Sequence, residues 1–242
     1  MAEWFADLKA DFIKNFITDN RWHYLTDGLK VTLIVTLFST LVGIVIGVFI
    51  AMIRSTHDKN IDRMRKGLAY YILKIGNALC KVYLTVIRGT PVIIQLMIIF
   101  YVILASSNNK ILTAVLAFGI NSGAYVAEII RSGIMSIDQG QFEAGRSLGF
   151  NYVQTMQYII IPQAFKTVLP TLANEFIVLL KETSVAGYIA LQDLTKGGDI
   201  IRSRTYDAFF PLIAVAIIYL VMVMIFTKLV EMLERRLQQS ER

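Results

Sequence analysis

Polar side chains interrupt several long apolar stretches of this sequence. Glu175 follows Asn174 within TLANEFIVLL, and Asn121 and Ser122 lie within AVLAFGINSGAYV, four residues or fewer from Tyr125. Carboxylates, amides and hydroxyls in apolar surroundings bind polar or charged groups through hydrogen bonds and ion pairs. These residues therefore indicate a binding site for a small polar solute or, alternatively, structural hydrogen bonds between helices.

The residue types do not favour catalysis. One cysteine, Cys80, excludes an intramolecular disulfide, and two distant histidines, His23 and His57, offer no metal cluster. The ATP-binding pattern GxxxxGK[ST] does not occur, and in GRSLGF (145–150) the second glycine is not followed by the lysine and hydroxyl residue of a phosphate-binding loop. Without a nucleophile–base pair or cofactor motif, we predict that the chain is not an enzyme and holds no metal or cofactor of its own.

Long apolar blocks must position these polar residues. Of the 242 residues, 55% are hydrophobic and only 17% are charged, too apolar a balance for an ordinary soluble domain. The run from Gly28 to Ile53 has one charge, Lys30, at its edge, and at about 1.5 Å per residue it crosses a hydrocarbon core of about 30 Å. We predict an all-α polytopic membrane protein with about five transmembrane helices, near residues 28–53, 82–104, 111–130, 165–190 and 208–230.

Two amphipathic segments accompany these spans. Residues 1–27 mix aromatic side chains with charges of both signs, which is typical of a helix at the membrane surface. Across residues 68–86, apolar residues recur every three or four positions opposite Lys74, Asn77 and Lys81. A single apolar stripe favours an interfacial or bundle-edge helix over an independent span.

Lysine and arginine residues predict the orientation in the membrane. Five spans place the chain ends on opposite sides. The side with the loop after the first span, the loop between the third and fourth spans and the C-terminal end has fourteen of these residues, and the other side has eight. Because cytoplasmic loops are enriched in positive charge, we predict the N-terminus outside and the C-terminus in the cytoplasm. The net charge of +6 thus reflects orientation and indicates no nucleic-acid partner.

Residues 131–164 connect the third and fourth predicted spans, and we call them the 131–164 loop. They contain the signals of two short helices, which a simple connection does not need. Asp138 is positioned to cap a first short helix, and Gly149 to end it in a left-handed conformation. Asn151 and Gln154 have the spacing of a capping box that begins a second helix. We expect this second helix to stop before Pro162, because proline lacks an N–H group.

Leu148 and Phe150 flank the predicted bend between the two loop helices. Exposed apolar residues at a rigid bend suit docking into a groove on another protein. The alternative is a self-packed loop that only connects two spans, and the pattern of residues alone does not decide between them.

The stretch EAGRSLGFNYVQTMQYIIIPQA resembles the EAA motif of bacterial ABC importer permeases. That motif combines Glu-Ala-Ala, a glycine six residues after the glutamate and a later Ile-x-x-Pro or similar. The matching residues are Glu143, Ala144, Gly145, Gly149 and Pro162, with Gly145 replacing the usual second alanine.

Three further stretches are similar to the polar amino-acid branch of that family. They are RGTPVIIQL (88–96), GAYVAEIIRSGIMSIDQGQ (123–141) and LLKETSVAGYIALQDL (179–194), and the resemblance covers about residues 28–230. It implies a type I ABC importer-like subunit whose permease domain, residues 28–242, carries a polar amino acid inward by alternating access. The location implied is the bacterial cytoplasmic (inner) membrane.

The resemblance also implies partners. The 131–164 loop would be the coupling loop that contacts a separate ATP-binding subunit, present in two copies, which binds ATP and Mg²⁺. A second, identical permease subunit, an extracytoplasmic amino-acid-binding protein and the lipid bilayer complete the expected set. The residues implied for ATPase coupling are Glu143, Ala144, Gly145, Leu148, Gly149 and Phe150.

Glu175 is the strongest candidate in the predicted substrate path. It lies nine residues beyond Lys166, which we place at the inner boundary, so it is about 13 Å deep. An ionisable group near the bilayer centre costs roughly 2.5–3.5 kcal/mol, and a carboxylate there suits the cationic end of an amino acid, above all a basic one. The alternative is a structural hydrogen bond or ion pair. The full set of path candidates is Gln95, Asn121, Ser122, Tyr125, Asn174 and Glu175.

Other residues have simpler expected roles. Glu128 and Arg131 lie one helical turn apart and are expected to pair. Arg88 is expected to extend toward the cytoplasmic interface. Gly43 and Gly47 form a GxxxG pattern, which is common in helix packing and only weakly indicates dimerisation.

Two other functions stay open on the sequence alone. A secondary transporter or channel would use Glu175 as a proton or ion site and need no ATPase. A membrane scaffold or sensor would dock a signalling protein on the 131–164 loop and transport nothing.

Overall fold

Helices form all the regular secondary structure within residues 2–239, the part of the chain that the computed structural model describes. This confirms the predicted all-α class. The α-helices are α1 (Ala2–Phe12), α2 (Trp22–Asn60), α3 (Leu68–Gly89), α4 (Val92–Ile98), α5 (Lys110–Met135), α6 (Gln139–Ser147), α7 (Tyr152–Thr155), α8 (Ile161–Glu182), α9 (Leu194–Thr205) and α10 (Phe209–Gln239). Wider π-helical turns occupy Ile13–Ile17, Ile99–Ile103 and Met156–Ile160, and 3₁₀ turns occupy Thr18–Asn20, Ile61–Arg63 and Thr183–Ile189.

The chain divides into two compact units, each assembled from distant parts of the sequence. The first unit comprises the residues up to Ser39, Val92–Phe118 and Ile177–Lys228. The second unit comprises Thr40–Pro91, Gly119–Phe176 and the residues from Leu229 onward. Residues 240–242, part of the predicted cytoplasmic C-terminal end, lie outside the described residues.

The hydrophobic core of the first unit includes part of the N-terminal segment. Phe16 is buried there against residues that include Leu180, Leu194 and Ile201. Asn15 is also fully buried, and its Nδ2 donates to Asp207 Oδ2 at 2.5 Å. Asn15 and Phe16 thus pack into the protein, and the position of residues 1–27 at the membrane surface stays a prediction. The amphipathic pattern of this segment does not reveal that Asn15 and Phe16 are buried.

Two clusters of buried residues organise the second unit. The first joins α2, α3 and α5 through Ile50, Leu84 and Ala127, among others. The second joins the end of α5 to the 131–164 loop through residues that include Phe142 and Ile160. The lower part of α5 is thereby packed against the loop that follows it.

Gly43 and Gly47 pack α2 against α5 inside the same chain. A Cβ atom on Gly43 would lie 2.9 Å from Ser122 Oγ, and one on Gly47 would lie 2.4 Å from a Val126 methyl group. Both distances are too short for a real side chain, so the GxxxG pattern provides close helix approach. It therefore needs no second copy to explain it.

The apolar stripe of α3 points away from the rest of the chain. Its members are 53–79% exposed, whereas Asn77, Cys80 and Leu84 on the other face are buried. This arrangement agrees with the predicted bundle-edge helix. The exposed residues of the stripe are Leu68, Ile72, Ile75, Leu79, Val82 and Val86.

The second predicted span, residues 82–104, is not one helix. α3 already begins at Leu68 and ends at Gly89, and α4 begins at Val92. The break occurs because Pro91 has no N–H group to continue the helical hydrogen bonds and because the residue before a proline disfavours the α conformation. Thr90 accordingly has extended backbone angles.

Among the described helices, α2, α5 and α10 are each long and apolar enough to cross a membrane. The interrupted pair formed by Leu68–Gly89 and Val92–Ile103 makes a fourth candidate if it counts as one span. α8 covers only residues 165–182 of the fourth predicted span, residues 165–190, and the 3₁₀ turn Thr183–Ile189 follows it. This helix carries Glu175 and three other charged residues and is not among the candidate spans. A crossing by α8 stays a prediction.

Candidate functional site

The second unit contains a cavity of about 510 Å³ with four charged side chains on its walls. α3, α5 and α8 contribute its walls. Tyr125 and Glu175, two of the predicted path residues, both line it. The other charged residues on its walls are Arg88, Glu128 and Arg131, and the hydroxyl-bearing ones are Ser132, Ser136, Thr167 and Thr171.

Glu175 is held at this cavity by a neighbour on α5. Ser122 Oγ donates a hydrogen bond to Glu175 Oε1 at 3.4 Å, and Ser122 itself is fully buried. Asn121, one residue earlier, is only 2% exposed. The hydrogen bond from Ser122 orients the carboxylate. Glu175 itself is partly exposed, as its place on the cavity wall requires.

Glu128 connects three arginines at the same cavity. Its Oε1 accepts from Arg54 Nη1 at 2.9 Å, and its Oε2 lies 3.4 Å from Arg131 Nη2 and 3.9 Å from Arg88 Nη1. Arg131 also pairs with Asp58 at 3.3 Å. The predicted pairing of Glu128 with Arg131 is confirmed, but the closest partner of Glu128 comes from α2.

Arg88 was expected only to extend toward the membrane surface, and the structure gives it a place on the cavity wall. Its guanidinium lies 5.7 Å from the centre of the Tyr125 ring, a cation–π distance. The Arg88 side chain is 46% exposed, more than Arg54 (15%) or Arg131 (26%). Because Glu128 has two nearer arginines, Arg88 is the cation most available to a bound anion.

The other predicted path residues are not on this wall. Asn174 is exposed and is absent from the cavity lining, although it neighbours Glu175 in the sequence. The rotation of about 100° between consecutive helical residues turns Asn174 away from the wall on which Glu175 lies. Gln95 is 8% exposed and belongs to the first unit.

The 131–164 loop forms two helices with the predicted caps. Asp138 Oδ1 accepts from Gly140 N at 2.7 Å, which caps α6. Asn151 and Gln154 exchange two hydrogen bonds of 2.9 Å in a capping box that begins α7. Gly149 has φ +81°, so the left-handed end of α6 is confirmed.

The bend after α6 is a complete Schellman motif. Gly149 N donates to Arg146 O at 2.9 Å, and Phe150 N donates to Gly145 O at 3.0 Å. Leu148, at this rigid bend, has 70% of its surface exposed. Glu143, Ala144 and Gly149 are exposed as well, whereas Gly145 is buried and Phe150 is half-buried.

Gly145 is required by its neighbour on α7. A Cβ atom at Gly145 would lie 2.7 Å from both Cγ2 and Oγ1 of Thr155. Thr155 is 2% exposed and β-branched, so it has little freedom to move. The departure from the usual alanine of the motif therefore has a local steric reason.

The expectation that the second loop helix stops before Pro162 is wrong. Helical structure continues from α7 through the π-helical turn Met156–Ile160 into α8. The wider turn changes the hydrogen-bond register just before Pro162, where the proline cannot donate. The chain therefore enters the fourth predicted span without a break.

A smaller cavity of about 130 Å³ lies where the end of α2 meets this loop, beside Lys59, Arg146 and Tyr152. Burial raises the pKa of the Tyr152 phenol, and the neighbouring Thr56 and Asn60 oppose that rise. Neither neighbour reaches hydrogen-bond geometry with the buried Tyr152 Oη. Lys59 Nζ donates to Gln139 Oε1 at 3.1 Å.

Residues 67–239 match the family model described as "Binding-protein-dependent transport system inner membrane component". Among similar proteins, the putative glutamine transport system permease protein GlnP of Rickettsia bellii (strain RML369-C) is 37% identical over 175 residues, which cover 66% of this chain and 80% of that protein. The arginine transport system permease protein ArtQ of Bacillus subtilis (strain 168) is 38% identical over 185 residues, 70% of this chain and 84% of the relative.

The similarity to solved structures covers a longer part of the chain than the similarity to these relatives does. The crystal structure of an amino acid ABC transporter with histidines matches with a TM-score of 0.78 and 41% identity, covering 91% of this chain and 98% of that one. A chain of the MetNI methionine ABC transporter, in inward-facing conformations, matches with a TM-score of 0.74 at 19% identity, over 89% and 97% of the two chains. At that identity the second match concerns the fold alone.

Proposed function

The chain belongs to the family of binding-protein-dependent transport system inner membrane components, and from this premise we propose that it is the permease subunit of an ATP-driven importer of a polar amino acid. The similarity to permeases of glutamine and arginine transport systems supports this substrate class. Several apolar helices agree with a multi-pass protein of the inner membrane.

The observation that carries the proposal is the cavity that has Arg88 and Glu175 on its walls. An amino acid has a carboxylate and an ammonium group, and these two side chains offer one partner for each. Tyr125, which also lines the cavity, adds a ring and a hydroxyl. Ser122 orients the Glu175 carboxylate through its hydrogen bond. We assign the substrate path to this cavity, with a basic substrate favoured by the carboxylate.

Uptake of radiolabelled amino acids into proteoliposomes that contain the complete transporter tests this assignment. We expect Glu175→Gln to reduce uptake at least tenfold and to change the preference between basic and neutral amino acids, because it removes the negative charge and keeps the shape. Lys166→Gln on the same helix, outside the cavity lining, is the matched control. If Glu175→Gln changes neither the uptake nor the preference between basic and neutral amino acids, Glu175 has a structural role and the assignment is wrong.

The 131–164 loop is proposed as the contact with the ATP-binding subunit. Leu148 and Glu143 are exposed beside a bend that the Schellman motif and the capping box make rigid. A rigid exposed bend transmits a partner's movement better than a flexible loop does. Two copies of the partner would bind ATP and Mg²⁺ and hydrolyse the ATP, since this sequence has no phosphate-binding loop of the GxxxxGK[ST] type. The proposed contact residues are Glu143, Ala144, Leu148, Gly149 and Phe150, and the buried Gly145 supports them through its packing against Thr155.

A pull-down in mild detergent tests this contact. The native chain should recover an ATP-binding subunit, and a variant with Glu143→Arg and Gly149→Asp should lose it. Lys66→Met, an exposed change outside the loop, should leave recovery intact. If no ATP-binding subunit accompanies well-folded native protein, uptake that follows the proton gradient would identify a secondary transporter with Glu175 as its ion site.

The remaining parts of the proposed transporter follow from the family. We propose a second, identical permease subunit and an extracytoplasmic amino-acid-binding protein that delivers the substrate. The N-terminus lies outside and the C-terminus in the cytoplasm, as the bias in lysine and arginine predicts. ATP binding and hydrolysis in the partners would move the 131–164 loop, and the path would open alternately to each side of the membrane.

A further inference from the structure

The smaller cavity at the end of α2 has the chemistry of an anion site. Its volume of about 130 Å³ is well above the roughly 15 Å³ that one water molecule needs. Lys59 and Arg146 line it, as do Tyr152 and Thr155. None of the described residues on its wall is acidic.

Two hydroxyl groups on this wall are buried without a partner. Thr155 is only 2% exposed, and its Oγ1 makes no hydrogen bond with any described residue. The same holds for the buried Tyr152 Oη. A buried donor without an acceptor is unfavourable, so both hydroxyls indicate an acceptor bound in the cavity.

The two cations are not fully neutralised by the protein. Lys59 Nζ lies 4.3 Å from the centre of the Phe142 ring and donates to Gln139, but it forms no ion pair among the described residues. Arg146 is 3.9 Å from Glu143, a long and exposed pair. The site therefore has a surplus of positive charge next to two hydroxyl donors.

We propose that this cavity binds a phosphate group, either free inorganic phosphate or the headgroup of a phosphomonoester lipid. Phosphate oxygens accept hydrogen bonds from hydroxyls, ammonium and guanidinium groups alike. The Lys59 and Arg146 side chains supply the charge, and Thr155 and Tyr152 donate their O–H groups. The bound anion connects the end of α2 to the 131–164 loop and so stiffens the loop, whatever solute the protein transports.

Equilibrium binding of radiolabelled inorganic phosphate to the full chain in phosphatidylcholine nanodiscs tests the site. We expect saturable binding of one phosphate per chain. Thr155→Val and Lys59→Met should each weaken it at least tenfold, because each removes one contact. Thr155→Ser keeps the hydroxyl and should retain binding, as should Lys66→Met, which removes an exposed lysine elsewhere.

A second arm distinguishes the two sources of phosphate. Nanodiscs that contain phosphatidic acid displace the labelled phosphate from the native chain if a lipid headgroup occupies the site, and leave it bound if free phosphate does. The proposal is overturned if neither arm detects saturable binding, or if Thr155→Val binds as the native chain does. Equal losses in Thr155→Ser and Thr155→Val would also overturn it, because the hydroxyl would then not be the determinant.

Discussion

At the scale of single residues, Glu128 holds together the charged wall of the larger cavity. Three arginines approach its carboxylate within 4 Å, and the Glu128 side chain is 25% exposed. Removing one partner of a buried ion pair costs about 3–5 kcal/mol, and the partial exposure here reduces that figure. The arginines would then repel one another without a carboxylate between them.

We therefore expect Glu128→Gln to lower the free energy of unfolding by about 1–3 kcal/mol. Thermal unfolding of the purified chain in detergent would measure the change in midpoint. Glu143→Gln is the matched control, because its pair with Arg146 is 3.9 Å long and exposed, and it should change the midpoint little. A Glu128→Gln midpoint equal to that of the control would mean that the arginines are stabilised by other groups.

Asp193 introduces a pH dependence in the first unit. Its side chain caps α9 by accepting from Thr195 N and Lys196 N, and burial raises its pKa from 3.8 to about 6 despite these hydrogen bonds. The folded state thus binds the proton more tightly than the unfolded state does. The stability from this group is fully present below pH 3.8 and is lost as the pH rises through about 6.

The resulting loss of stability is about 3 kcal/mol over the whole range from well below pH 3.8 to well above pH 6, at about 1.36 kcal/mol per pKa unit. Asp193→Asn can still accept the capping hydrogen bonds but does not titrate, so its unfolding midpoint should lack this part of the pH slope. Hydrogen bonds with Lys196 and Arg202 lower the pKa of Asp199, so its contribution has the opposite sign and is common to the native chain and Asp193→Asn. Parallel pH profiles for the native chain and Asp193→Asn would contradict the prediction.

At the scale of secondary-structure elements, the sequence predicts helix caps reliably, but it does not predict which residues are buried by contacts with distant parts of the chain. The caps at Asp138 and Asn151 and the left-handed Gly149 depend on neighbours within a few residues, and the sequence predicts all three correctly. The sequence did not predict the π-helical turn before Pro162. A proline usually ends a helix, but a wider turn before it lets the helix continue, and the spacing of residues does not show this. Burial of Phe16 depends on residues such as Leu180, far away in the chain.

The contact between α6 and α7 gives a prediction about the loop as an element. Alanine normally favours a helix over glycine by about 1 kcal/mol, but a Cβ at Gly145 would be 2.7 Å from Thr155. We expect Gly145→Ala to destabilise the chain by about 1–3 kcal/mol. In a Thr155→Ala background only the flexible end of Ile159, at 3.2 Å, has to give way. The same change should then cost much less or be neutral, which a double-mutant cycle of unfolding midpoints would detect. Additive effects of the two substitutions would contradict this account.

At the scale of the whole molecule, the sequence predicts the class of protein but not its charged cavity. Long apolar runs identify membrane helices because the bilayer sets their length, and α2, α5 and α10 agree with three predicted spans. Arg88 was assigned to the membrane surface, since a sequence does not reveal that Glu128 and Tyr125 lie beside it. The signal that was available in the sequence is the set of three charged residues, Arg88, Glu128 and Arg131, near the ends of α3 and α5.

Orientation in the membrane is the last prediction, and the single cysteine makes it accessible to labelling. Cys80 is buried, and Cys80→Ser provides a background without cysteine. In that background we expect Tyr206→Cys, at a position that is 95% exposed, to react in intact cells with a reagent that does not cross membranes. Leu148→Cys, at a 70% exposed position in the 131–164 loop, should react only after the membrane is opened. The physical reason is the excess of lysine and arginine on the side of that loop, fourteen against eight. The reverse pattern of labelling would invert the proposed orientation, and it would also remove the 131–164 loop from the compartment that contains ATP.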